Sequence, residues 1–523
     1  MSAPEGHRRG FGLRDELEPA APSGLTRGQF IRAAGGGAGW LAFAGPAYGA
    51  TRRHTHRVPR AAVRPVTAGS HRVLSFNSRP DLHPPAVKAY GGARAHAAVA
   101  EGYSFLGPAS GGGAQAGALI VDAAGDPAWF HPVAAGKWVS NFRAQRYRGE
   151  PVLTWWEGTV IAPGYGKGVG VIVDSSYREV ARVRAANGRH IDLHEFVLTP
   201  QGTALFTCFP QTVPADLSGL GGARDGRVLE SIIQEVDVHT GRLLLEWRST
   251  DHVPASESYL QLGGVYDYLH ANSIGIARDG RLLVSARHTS TLYKLERRTG
   301  RVIWRMGGKR SDFAMGKGTR FAWQHDARQV GTGMISLFDD GAGPQKTESH
   351  SRGLVLQFDA ARRSVRHVRS YHHPNPLLAS AMGNMQVLPD GNVIVEWGNV
   401  PVLSEFAADG RLLGDLRFPW ANASYRGYRF PWSGTPAGVP AIAATVDAAT
   451  NRSTLYVSWN GATGVSAWQV SLGSSAGALR PVGVARRDGF ETAIPLRTAV
   501  GYVAATALDA SGQSLASSDP IKL

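Results

Sequence analysis

From Gly102 to about Phe418 the chain alternates short apolar runs with glycine-containing turns, and the runs keep the two-residue period of strands rather than the 3.6-residue period of helices. Several stretches can be laid over one another. Asn141 to Gly149, His194 to Gly202, His325 to Gly333 and Gly383 to Gly391 each span eight positions, and His270 to Gly280 spans ten. A second run follows each turn, as in Val152-Leu-Thr-Trp155-Trp156-Glu157, Leu282-Leu-Val-Ser-Ala-Arg287 and Met334-Ile-Ser-Leu-Phe338-Asp339. Third and fourth runs lie around Thr-Gly turns, as in Leu243 to Trp247 and Val302 to Trp304. Four strands per unit, repeated with irregular insertions, predict a β-propeller. Unit starts near 102, 141, 194, 270, 325 and 383 predict six blades, with Arg72-Val-Leu-Ser-Phe76 closing the ring against the last one.

The pattern changes after Ser433. Ser453 to Gly461, Ser466 to Val470, Gly489 to Ile494 and Gly501 to Ala507 read as strands spaced like those of a fibronectin type III-like or immunoglobulin-like β-sandwich. The expected class is therefore all-β: a six-bladed propeller over 69–431 and a small sandwich over 432–523. High glycine (65) and proline (30) fit a fold made of many turns.

Residues 1–68 contain few strand-formers. Thr26-Arg27-Gly28-Gln-Phe30-Ile-Arg32 precedes a weakly apolar Ala/Gly run from Ala33 to Ala47, the order of an export signal rather than a membrane span. It is similar to the twin-arginine type with Gly28 in place of the second arginine, while the pair Arg8-Arg9 lies upstream. A secreted or extracytoplasmic protein, not integral to the membrane, is expected. The single cysteine, Cys208, excludes an intramolecular disulfide and any cysteine-based zinc or iron–sulfur site. A net charge of +15 favours anionic partners. Its cations are scattered rather than striped, which argues against nucleic acid and suits a small anionic substrate.

The overlay puts His194, His270 and His325 at one equivalent position, the start of the innermost strand in three successive units, where side chains of a propeller converge on the central channel. The return strand brings Arg287 to the level of His270, and Asn272 follows two residues on. Trp155 and Trp156, on a matching return strand, are candidates to hold an aromatic ring. Three neutral imidazoles also suit a metal, but Arg287 in the same ring would repel a cation, which leaves an oxyanion as the expected ligand and neither metal nor cofactor. Gly164-Tyr-Gly166-Lys167-Gly168-Val-Gly170 lacks the Lys-Ser/Thr step of a phosphate loop and reads as a flexible turn. Runs ending at Trp247 and Trp304 resemble the tryptophan docking motif of quinone-dependent propeller dehydrogenases, yet only two units carry it, so packing is expected of them.

One ordered set of motifs goes further. Tyr266-Asp-Tyr-Leu-His270-Ala-Asn272-Ser, Ser285-Ala-Arg287-His288, Ile303-Trp304-Arg305-Met-Gly307-Gly308, Trp323-Gln324-His325-Asp326 and Leu337-Phe338-Asp339-Asp340-Gly341 together resemble the arylsulfotransferase family, in particular its divergent secreted branch. The resemblance spans roughly 70–420. It implies a six-bladed propeller that moves a sulfuryl group from a phenolic sulfate ester to a phenol without a nucleotide cofactor. It further implies that His325 is the transiently sulfated nucleophile, that His270, Asn272 and Arg287 bind sulfuryl oxygens or assist proton transfer, and that His194 is another catalytic histidine. The disulfide of some family members cannot form here. The competing expectation is a non-catalytic extracellular propeller that binds glycans or phenolic ligands.

Overall fold

A computed structural model describes residues 73–91, 101–162, 164–447 and 449–523. The export-signal segment lies outside them. The protein is all-β. Helix among the described residues is confined to four single 3₁₀ turns, such as Ser218–Leu220 and Trp420–Asn422, and no helix is long and apolar enough to cross a membrane.

The strands form antiparallel four-stranded units in chain order. Ala271–Ile276, Leu282–Ala286, Thr291–Leu295 and Val302–Gly307 make one sheet in that sequence. His325–Gly331, Met334–Asp339, Arg352–Asp359 and Ser364–Tyr371 make the next, and Asn384–Val387, Val393–Glu396, Val402–Phe406 and Leu412–Arg417 the one after. Two further units, Trp138–Tyr147 to Glu179–Val183 and Ile191–Leu198 to Leu243–Arg248, fuse into one eight-stranded sheet through the single pairing Gly168↔Ile191.

The remaining unit is built from both ends of this region. Ser424–Phe430 pairs with Tyr103–Pro108, which is followed by Gly117–Val121 and Pro127–Pro132. The run after Gly102 is thus a second strand rather than the first, and the inner strand comes from the far end of the chain. Ring closure also differs from the expectation for Arg72–Phe76. Lys88–Tyr90 adds a fifth strand to the outer edge beside Leu412–Arg417, whereas Val73 bridges Pro85 and the Phe76 ring lies 4.3 Å from Phe490 in the C-terminal sheets.

Neighbouring first strands are tied in a closed cycle. Asn141 Nδ2 donates to the Leu193 carbonyl (2.7 Å), Ile274 N–H to Glu195 (3.2 Å), and Ala327 N–H to Ser273 Oγ (3.1 Å). Met382 N–H donates to His325 (3.3 Å), Gly427 N–H to Asn384 (2.8 Å), and Arg426 back to Asn141 (2.7 Å). Apolar cores fill the spaces between sheets: Leu205 and Ile233 of one meet Ile274, Val284 and Tyr293 of the next. Full burial of each such side chain contributes about 1.5–3 kcal/mol. Trp247 sits in the same core and donates from Nε1 to the Gly300 carbonyl (3.1 Å), clipping its unit to the next by packing.

After residue 431 the chain forms two facing sheets, Ala441–Asp447, Arg452–Ser458 and Glu491–Leu496 against a sheet centred on Ala467–Gly473 and Tyr502–Leu508. They share a core around Trp468, Leu455 and Val503. Asn460 docks them by exchanging two 2.9 Å hydrogen bonds with the Phe130 backbone.

Candidate functional site

His194, His270 and Arg287 meet at one end of the cycle of first strands. His270 immediately precedes its strand in a left-handed conformation (φ 57°), and its carbonyl accepts the Arg287 N–H at 3.0 Å, so the return strand brings the guanidinium beside the imidazole. Trp323, Asp326 and Met382 are also left-handed (φ 59°, 54° and 70°). Non-glycine residues in this region cost about 1–3 kcal/mol each. Such strain persists only where the surroundings over-determine the backbone, and at these four positions it adjoins the histidines.

Each imidazole is oriented by a carboxylate that the motif reading did not single out. His270 Nδ1 lies 2.7 Å from Asp267 Oδ2, His325 Nδ1 lies 2.8 Å from Asp340 Oδ2, and His194 Nδ1 makes a short contact with Asp192. Anchoring Nδ1–H in this way leaves Nε2 with its lone pair. His194 and His270 then face each other Nε2 to Nε2 at 3.1 Å. Two lone pairs repel at that distance, so the contact becomes a hydrogen bond only when the pair holds one extra proton. Among the described residues, His325 Nε2 receives only the long Met382 N–H contact (3.3 Å).

A fourth imidazole, His288, donates from Nδ1 to the Asp267 carbonyl (2.5 Å) and accepts Arg287 Nη1 on Nε2 (2.9 Å). Arg287 also donates from Nη2 to the Ser380 carbonyl (2.7 Å), and its guanidinium carbon lies 5.3 Å from the centre of the Trp323 ring. Burial holds His270 and His325 well below the usual imidazole range. His194 and then Arg287 add to that at His270, and Arg287 does so first at His325. Burial likewise lowers His288 to about 3. Asp340 is pushed well above the carboxylate range by burial, against the pull of Arg287. The nucleophile candidate is therefore a neutral imidazole in a dry site.

Aromatic rings wall this site, but not the expected pair. Tyr165 lies 4.7 Å from His270 and donates to Asp267 Oδ1 (2.9 Å). Tyr425, buried with its hydroxyl lacking a partner among the described residues, stands between His194 (5.6 Å) and His325 (6.4 Å). Trp155 and Trp156 lie in cores between sheets instead. Trp155 packs on Trp129 and Phe142, and Trp156 donates to the Ile191 carbonyl at 2.8 Å. The adjacent Trp-Trp pair points its two rings to opposite faces of one strand, and both faces are covered.

The glycine run beside them is a strand rather than a flexible turn. Tyr165–Val173 pairs with Glu150–Ala162, and Gly166 and Gly168 lie flat on the Trp156 ring, where an added Cβ would come within 2.6 Å of it. Alternation sends Tyr165 and Lys167 to the other face. Gly166 N–H donates to Asp192 (2.8 Å), and a Cβ on Gly164 would approach His270 within 3.1 Å.

Asn272 is fully buried and donates from Nδ2 to the carbonyl of Gln324, at 2.7 Å. Its place is behind His325, where it supports the backbone leading into that residue, rather than among exposed oxyanion donors. One position beyond His194 and His325, Glu195 and Asp326 join Arg143, Arg328 and Arg426 in a buried ionic cluster (Arg143–Glu195 2.6 Å, Arg328–Asp326 2.5 Å). Asp267, His270 and His288 also offer ligand atoms within 4.8 Å of one another. A cation held there would lie against the Arg287 guanidinium, an arrangement that favours an anion.

The family model for arylsulfotransferase (ASST) matches residues 143–418, more than half of the chain. The chain belongs to the arylsulfotransferase family. Membership supports arylsulfotransferase activity and small aryl substrates, and the matched segment carries every histidine of the site. No curated protein matches the chain. Solved structures similar to it include a protein of unknown function from Bacteroides caccae (14% identity, 62% of this chain and 98% of that one, TM-score 0.37). An inactive variant of virginiamycin B lyase from Staphylococcus aureus with quinupristin is another (7%, 72% and 96%, TM-score 0.31), as is a Synechocystis apocarotenoid oxygenase (11%, 64% and 74%, TM-score 0.33). Likeness of that degree carries no argument about this arylsulfotransferase-family chain.

Proposed function

We propose that this family member is an exported, nucleotide-independent arylsulfate sulfotransferase. On this reading the four-stranded units are the six blades of a propeller over 69–431, followed by a fibronectin type III-like sandwich over 432–523. The histidines stand at the mouth of its channel, and a twin-arginine-like signal directs export. The observation that carries the reaction is His325: neutral, buried, anchored through Nδ1 on Asp340, with Nε2 held among the described residues only by a long backbone contact.

His325 Nε2 attacks the sulfur of the donor ester, the sulfur–oxygen bond to the aryl group breaks, and the leaving phenolate takes the extra proton that the His194–His270 pair holds between its two Nε2 atoms in the reactive state. An acceptor phenol then attacks the sulfur, the nitrogen–sulfur bond breaks, and the phenol's proton returns to that pair. Asp340, in the ionised form that Arg287 favours against burial, offsets the positive charge of the sulfated imidazole, and Arg287 offsets charge on the sulfuryl oxygens, as donors do in phosphoryl transfer. Splitting one transfer into two predicts ping-pong kinetics.

Intact-mass measurement after donor p-nitrophenyl sulfate alone should show one added sulfuryl group, absent from His325→Ala. That variant should lose acceptor-dependent nitrophenol release by at least about 10²-fold. Normal turnover in His325→Ala would sink the assignment, and free sulfate without a labelled protein would indicate a hydrolase.

A further inference from the structure

Along the hairpin formed by Glu150–Ala162 and Tyr165–Val173 lies a cleft of about 530 Å³. That is within the range of pockets that hold small ligands. Its walls carry Lys137, Lys167, Arg182, Arg184 and His190 against one carboxylate, Glu157. Arg182 is balanced by Glu179 (2.6 Å) and Glu157 (3.8 Å). The other cations are not balanced by acids among the described residues: Lys137 donates to the Thr159 hydroxyl (3.1 Å), and Lys167 lies over the Phe209 ring (4.8 Å). Arg184 and the His190 ring have no side-chain partner among the described residues, and both are exposed. Clustered cations repel one another, and an anion relieves that repulsion.

A series of ring contacts links the cleft to the reactive site. Lys167 shares a strand face with Tyr165, and the Phe209 ring that carries the Lys167 ammonium is edge-on to Tyr165 at 6.4 Å. Tyr165 in turn touches His270. His190 lies two residues before Asp192, the carboxylate that anchors His194. An aromatic wall thus runs from the histidines to the basic cleft, with cations at its far end.

We propose that this cleft is a second anion site, which holds a further negatively charged group, a carboxylate or a second sulfate, on the same small aromatic compound whose sulfate ester reacts at His325. The inference rests on the sulfotransferase reading for the identity of the compound, but the cleft's anion binding is measured without turnover.

Benzene-1,3-disulfonate and benzenesulfonate cannot transfer a sulfuryl group through a carbon–sulfur bond, so titration calorimetry with the full chain reads binding alone. The disulfonate should bind about tenfold more tightly, the scale that two or three solvent-screened ion pairs reach together. Arg184→Glu and Lys137→Glu, both surface changes, should each remove most of that difference and leave benzenesulfonate binding unaltered. Equal affinity for the two probes, or wild-type preference in both variants, overturns the proposal. So does binding confined to a sulfated polysaccharide, which would mark the cleft as a polymer site. Disulfonate preference in a protein that transfers no sulfuryl group would support the anion site while removing the sulfotransferase reading. Transfer without the preference would do the reverse.

Discussion

At the residue scale the chemistry depends on which nitrogen each imidazole keeps free. Asp340, Asp267 and Asp192 settle this for His325, His270 and His194 by taking the Nδ1 side. Asp340→Asn presents an amide that can donate to Nδ1 and so stabilise the wrong tautomer, with Nε2 protonated. The expected outcome is a fall in kcat of about 10²-fold or more with a folded, stable protein, as when the carboxylate that orients a catalytic histidine is replaced by its amide. Steady-state kinetics beside thermal unfolding check this, and unchanged kcat would show that Asp340 does not set the tautomer. Three of these groups were within reach of sequence reading. Asp192 and Asp267 lie two and three residues before their histidines, and Asp340 belongs to a quoted motif. Tyr425 was not, because it reaches the site from the last inner strand, some 230 positions beyond His194, and no local pattern marks it.

At the scale of elements, one hairpin explains both a correct observation and a wrong reading. Gly166 and Gly168 and the Trp156 ring are two sides of the same packing arrangement, since the flat indole lies where Cβ atoms are missing. Trp156 therefore supports the strand that carries Tyr165 and Lys167, and does not hold substrate. Trp156→Ala should cost about 3–5 kcal/mol of stability, the usual loss for a buried large aromatic. KM for p-nitrophenyl sulfate in the remaining folded protein should stay within a few-fold of wild type. A large rise in KM at unchanged denaturant midpoint would return Trp156 to an aryl-binding role. A single sequence shows that aromatic residues and glycines are neighbours, but the far face of a strand is covered by elements that sequence reading cannot place beside it.

Across the whole molecule, the closed cycle of first strands is held from within by buried charge. Burial opposes ionisation of Glu195, yet Arg328, Arg426 and Arg143 outweigh it and hold its carboxyl below the usual range. A carboxyl depressed in the folded state contributes stability that is fully present above its unfolded pKa of about 4.3 and is lost as pH falls through the folded value. Glu195→Gln leaves three arginines with Asp326 alone and should cost about 3–5 kcal/mol at pH 7. Urea unfolding of both proteins from pH 7 to pH 3 should show a constant gap above about pH 4.5 that narrows in stronger acid. A gap that widens on acidification would reverse the sign of this linkage. The buried histidines and carboxyls nearer the site act in opposite senses: His288 resists protonation on folding, whereas Asp340 and Glu396 resist ionisation.

The all-β class and the four-strand repeat were legible along the chain, because a strand's two-residue period and its glycine turns are local properties. So was family membership, since the motifs around His270, Arg287 and His325 are contiguous. Tertiary structure decided what required distant segments to meet. Ser424–Phe430 supplies the inner strand of the unit that begins near Gly102, a pairing across more than 300 residues that no local period encodes. The His194–His270 contact, the Tyr425 hydroxyl and the change of Asn272 from ligand to support have the same origin. Strand register determines which residues face a common space, whereas the placement of one sheet against another determines what shares that space.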